Sequence, residues 1–168
     1  IPTLHSMIEN ADNPENLKIC IAWQNGDADF EIGQLDEYKD DPRFIIINIP
    51  FLESLGACWA RSEIQQRYTD EDWFLQIDSH MRFVPHWDTI AIQMIEDLKS
   101  SGYKKPLLTS YVPSYDPEND PAGRSPECWR LDWDRFIPES PFFMLPAAMT
   151  EEELKTPLLS RFFSAHFV

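Results

Sequence analysis

The chain has 168 residues, 43% hydrophobic and 13% aromatic, a composition that excludes intrinsic disorder and suits a single domain over residues 1–168. Its formal net charge of −15 excludes nucleic acid and anionic membrane surfaces as partners, because both demand basic patches. No apolar run approaches the roughly 18 residues of a membrane span.

The three cysteines, Cys20, Cys58 and Cys128, are odd in number and far apart. That predicts reduced thiols in a cytoplasmic protein, with Cys20 and Cys58 buried as small hydrophobes. No signal peptide is visible.

In chain order, Pro2 to Ala11 reads as a helix, with Pro2 in its first turn and Leu4, Met7, Ile8 and Ala11 at helical spacing. Leu17 to Trp23 reads as a strand, and Gln24 to Asp41 as a polar, acidic connection. Arg43 to Ile49 is a nearly continuous β-branched run of the kind buried on both faces in parallel sheets. Leu55 to Tyr68 predicts a helix capped by Ser54. Trp73 to Ile77 predicts a buried central strand, and Trp87 to Lys99 an amphipathic helix with Ile90, Ala91, Met94, Ile95 and Leu98 on one face. Pro106 to Val112 is a further strand.

This alternation predicts an α/β fold with a mostly parallel open sheet flanked by helices. Pro113 to Pro126, with four prolines, is a long loop, functional or disordered. Strands are predicted at Trp129 to Trp133, Phe142 to Leu145 and Phe162 to Val168, and a short acidic helix or turn at Met149 to Leu159. The chain opens on a helix and closes inside an apolar run, which reads as a domain cut at both ends.

The chemistry centres on Asp78-Ser79-His80, where the apolar run WFLQI stops. Ligands of open α/β sheets sit beyond the carboxyl ends of strands. A carboxylate and an imidazole two residues apart can address one bound cation, with small Ser79 leaving room for phosphates. Asp-x-His alone serves equally well as a turn or a helix cap.

Three stretches together carry a resemblance. Gly56-Ala57-Cys58-Trp59-Ala60-Arg61 opens a helix, LQIDSHMRF follows, and then His86-Trp87-Asp88. This resembles the nucleotide-diphospho-sugar transferases of the GT-A fold. Leu75 to Asp88, LQIDSHMRFVPHWD, is similar to the polypeptide N-acetylglucosaminyltransferases of glycosyltransferase family 60, as is the Pro2 to Gln24 stretch.

The resemblance implies a retaining transfer of N-acetylglucosamine from a UDP-sugar donor to a hydroxyl of a protein or glycan acceptor. It implies Asp78 and His80 as metal ligands, with His166 a candidate third, and uridine contacts from a strand preceding the first helix. Carboxylate plus imidazole suits manganese better than magnesium or calcium. Ser79 and Trp87 are candidate substrate contacts. Arg61 either faces the diphosphate or pairs with Asp78 or Glu63. His86 either supports the site or is a loop residue without a role. Trp87 and Asp88 equally suit a helix start. Tyr115, Trp129 and Trp133 line a groove or fill the core. Rival readings are a non-catalytic carbohydrate- or peptide-binding module, and a metal-dependent hydrolase using Asp78, His80 and His86.

Overall fold

The computed structural model describes residues 1–26, 33–112, 114–123, 128–137 and 140–160. The first helix, α1 (Pro2–Glu9), starts on Pro2, whose missing N–H costs nothing in a first turn. Its buried residues are Thr3 and Met7, a polar and an apolar residue four apart on one face. Of the expected face of Leu4, Met7, Ile8 and Ala11, Met7 is buried and the other three are half-buried.

Strands β1 (Ile19–Asn25) and β2 (Phe44–Pro50) pair in parallel, from Ile19 against Phe44 to Asn25 against Pro50. Their β-branched residues suit a pleated surface. Only Ile19 and Ile49 are buried, however, and Ile45, Ile46 and Ile47 are half-buried. The connection between the strands supplies part of the core. Leu35 and Tyr38, around a single 3₁₀ turn (Asp36–Tyr38), are both buried. The Tyr38 ring stacks on Phe44 with centroids 4.4 Å apart.

Helix α2 (Ala57–Gln65) follows. Its N-cap is Gly56, not the expected Ser54. Gly56 has φ 98°, which a side-chain-bearing residue adopts only under strain, and Ser54 Oγ accepts the Gly56 N–H at 3.4 Å. Ala60 is buried, and the helix packs on β1. Cys58 is exposed, against expectation, lying two positions and so roughly half a turn from the buried Ala60; Cys20 is half-buried in β1.

The expected central strand at Trp73 to Ile77 is not a ladder strand. Only Ile77 makes an isolated bridge, while Trp73 and Phe74 are exposed. Side chains hold this segment instead. Lys18 pairs with Glu71 at 2.5 Å, Gln65 donates to Gln76 at 3.3 Å, and the Tyr68 ring meets Phe74 edge-on. Lys99 lies 4.5 Å from the Trp73 ring centre, a cation–π contact at the surface.

Helix α3 (Trp87–Ser100) matches its expected range. Its apolar face is only partly covered: Ala91, Ile95 and Leu98 are half-buried, and Ile90 and Met94 are exposed. Pro106 to Val112 is likewise no strand, since only Tyr111 is bridged, to Trp129.

Strands β3 (Trp129–Ile137) and β4 (Ser140–Ala148) form an antiparallel pair with register shifts after Trp133. Of the short acidic helix or turn expected over Met149 to Leu159, the structure takes the turn, a single 3₁₀ turn at Glu153–Lys155. Thr150 and Glu153 cap each other reciprocally, at 2.9 Å and 3.3 Å, and Pro157 stops propagation.

Among the described residues there are therefore two two-stranded sheets, one parallel and one antiparallel, in place of one mostly parallel sheet. The mixture of helices with a small parallel sheet is that of an α/β protein. The expected strand at Phe162 to Val168 lies outside the described residues.

Candidate active site

Asp78, Ser79 and His80 lie in a turn immediately after Ile77. Asp78 is half-buried, whereas Ser79 and His80 are exposed. The turn is held from behind by α1. Thr3 Oγ1 donates to the Ser79 carbonyl at 2.5 Å and accepts the Met81 N–H at 3.1 Å. Ser6 Oγ accepts the Phe83 N–H at 2.9 Å. The Met7 carbonyl accepts Trp87 Nε1–H at 2.8 Å, and the Asn10 carbonyl accepts the His86 N–H at 2.7 Å. Residues 3, 6, 7 and 10 share one helical face, so α1 acts as a rail along residues 79–87. The sequence reading missed Thr3 and Ser6. Their signal is the polar i, i+3, i+7 stripe Thr3, Ser6, Asn10 on a helix otherwise read by its apolar positions.

Helix α2 supplies the cation beside the turn. Arg61 Nη2 donates to Asp78 Oδ1 at 2.8 Å, with the two side chains 25% and 22% exposed. Arg61 thus takes the Asp78 partner anticipated among its alternatives. A small cleft of about 90 Å³ lies beside this pair, lined by Cys20 of β1, Arg61 and Ile64 of α2, and Phe74 to Ile77. A larger cleft of about 420 Å³ opens on the β1–β2 face between Trp23, Phe44 and Lys39; neither Asp78 nor His80 lines it.

Arg82 anchors the far side. Its Nε donates to the Pro121 carbonyl at 2.8 Å, and its guanidinium lies 4.9 Å from the Tyr115 ring centre. Gly123 (φ 65°) packs so closely on Arg82 that a Cβ there would lie 2.9 Å from Arg82 Cγ. Within the described residues 114–123, Asp116 also accepts backbone N–H groups from Glu118 and Asn119. Tyr115 is half-buried and meets Arg82.

His86 and Asp88 form a latch, not a part of the turn. His86 Nδ1 lies 2.5 Å from Asp12 Oδ1, and Thr89 Oγ1 donates to Asp12 Oδ2 at 2.6 Å. The hydrogen bond to Asp12 raises the His86 pKa above its ordinary value. Thr89 and then His86 hold the Asp12 carboxyl below its own. Asp88 is buried and accepts the N–H groups of Asp12 and Asn13 at 2.9 Å and 3.0 Å. Burial pushes its carboxyl up, but these backbone donors outweigh burial and leave it below the usual range.

Trp87 stacks on Phe83 with centroids 4.8 Å apart, and its indole N–H is engaged by α1. Among the described residues no three of His, Cys, Asp and Glu converge on a metal-sized site. Asp78 and His80 offer one carboxylate and one imidazole from a single turn. His166 lies outside the described residues.

A protein-family model described as Glycosyltransferase (GlcNAc) matches residues 34–168. The chain belongs to this GlcNAc glycosyltransferase family. No curated protein and no solved structure matches the chain. Family membership makes it a glycosyltransferase, with a sugar donor and an acceptor, and decides against the hydrolase and the non-catalytic module. The match contains α2, Arg61 and the turn at Asp78 to His80, whereas the α1 rail precedes it. No helix among the described residues of the glycosyltransferase is long and apolar enough to cross a membrane.

Proposed function

We propose that this glycosyltransferase transfers N-acetylglucosamine from UDP-N-acetylglucosamine to a hydroxyl of a protein or glycan, in a GT-A-type domain, in the cytoplasm. The observation that carries the reading is the turn presenting half-buried Asp78 and exposed His80 inside the family match, with Arg61 on Asp78.

The donor set fits a divalent cation of the manganese type. One hard carboxylate and one imidazole favour it over magnesium and calcium, and two protein ligands leave positions for phosphate oxygens and water. When bound, such an ion neutralises the charge that develops on a departing nucleoside diphosphate. Asp78 and His80 would hold it. Arg61, already beside the turn, would add a fixed positive charge on the leaving-group side. Ser79, small and exposed, keeps the space in front of the turn open.

Manganese-dependent thermal stabilisation by UDP, but not by AMP or free sugar, is the expected outcome. Asp78→Asn and His80→Ala should each abolish it while leaving the fold intact. Unchanged manganese-dependent UDP titration in Asp78→Asn removes the assignment.

A further inference from the structure

Thr3 is an unusual residue to bury. It is 5% exposed on a short helix, and its hydroxyl neither faces solvent nor bonds back to its own helix. Instead one oxygen bridges the backbone on both sides of His80, donating to the Ser79 carbonyl and accepting from the Met81 N–H. Met81, also 5% exposed, anchors the segment just past the turn. The result is an exposed residue, His80, whose two flanking peptide groups are fixed from the buried side by a single hydroxyl. No ladder runs through the turn, so these two bonds are among the contacts that set its φ and ψ. The part-buried Ser79 carbonyl and the buried Met81 N–H, left without this partner, would also move to find others.

We infer that Thr3 is a positioning residue for His80. By bridging Ser79 and Met81 it fixes the direction in which the imidazole leaves the turn, and so its register with Asp78. It touches no substrate and acts only through the backbone of residues 79–81. Ligand orientation of this sort matters because small misplacements of a coordinating group cost affinity steeply.

The inference rests on the assignment of Asp78 and His80 as divalent-cation ligands, and the test separates the two. The affinity of the full-length protein for UDP is measured with and without manganese, alongside the ligand-free melting temperature. Thr3→Val keeps the shape and removes the hydroxyl, Thr3→Ser keeps the hydroxyl, and Ser6→Ala loosens the next clip of the same helix.

The expected result is that Thr3→Val weakens manganese-dependent UDP binding by about 10–100-fold, and that Thr3→Ser restores it. Ser6→Ala should lower the melting temperature without moving that affinity. If Thr3→Val does not accumulate in folded form, Thr3→Ala assayed in the cold is read the same way. Parent-like affinity in Thr3→Val, with His80→Ala defective, overturns the role of Thr3 alone. An equal loss in Ser6→Ala also overturns it, since general loosening of the rail would then explain the effect. Parent-like affinity in His80→Ala overturns the ligand assignment and the Thr3 role together.

Discussion

His86 occupies the left-handed region at φ 66°, where a residue with a side chain stays only if its surroundings insist. Here the Asn10 carbonyl takes its N–H and Asp12 takes its imidazole. Because the folded pKa of His86 is raised, its contribution is complete below the unfolded value of about 6.5 and fades as pH climbs through the higher folded value. Asp12 and Asp88 have lowered values, so their contribution is present above about 3.9 and fades as pH falls through their folded values. Melting temperature against pH should therefore separate the parent from His86→Asn in mildly acid buffer and bring the two together in alkaline buffer. A constant gap would mean that the imidazole charge is irrelevant to the latch. Asp88→Ala is more severe, because it strands two backbone N–H groups. It should cost at least about 1–3 kcal/mol by chemical denaturation. From sequence, Asp88 was one of two residues suited to a helix start. Its actual partners, the N–H groups of residues 12 and 13, belong to a loop 75 residues away, which no local pattern encodes.

At the scale of elements, the helices were legible and two of the expected strands were not. α1, α2 and α3 carry their own signals: a proline at the start, apolar spacing, a glycine at an end. A helix closes its hydrogen bonds within itself. A strand needs a neighbour, and the apolar run at Trp73 to Ile77 looked central because its β character was read without one. Its aromatics instead meet Lys99 and Tyr68 at the surface. The same holds for Pro106 to Val112, where only Tyr111 finds a bridge. This yields a quantitative contrast. Ile49, 5% exposed in β2, should cost about 2–5 kcal/mol on replacement by alanine. Ile77, half-buried, should cost about 1–2 kcal/mol. Equal costs in urea unfolding would mean that residues 73–77 pack as a full central strand after all.

For the whole molecule, a net charge of −15 sets the terms on which the proposed nucleotide-sugar donor, an anion, would approach. UDP carries the same sign as the protein, and Arg61 already faces a carboxylate. Binding of UDP in the presence of a chelator should therefore be too weak to shift the melting temperature, and added manganese should restore the shift. A shift that persists with the chelator would show that protein cations alone suffice. The motif Asp78-Ser79-His80 and its Arg61 neighbour were readable because both lie in short, distinctive stretches. The support beneath them was not, because Thr3, Ser6 and Met7 act through backbone groups of a segment remote in sequence.

That remoteness bears on how the protein folds. The bonds from α1 to the turn and to Trp87 join residues 76 to 80 positions apart. Closing so long a loop is entropically unfavourable until other contacts reward it, and topologies dominated by distant contacts form slowly. The parallel β1–β2 pair and α2 can assemble from nearer neighbours, but the turn bearing His80 acquires its backing only when the first ten residues arrive. In refolding from denaturant, manganese-dependent UDP binding should thus return later than helical circular dichroism, and a Thr3→Val chain should regain its helices on the parent's schedule.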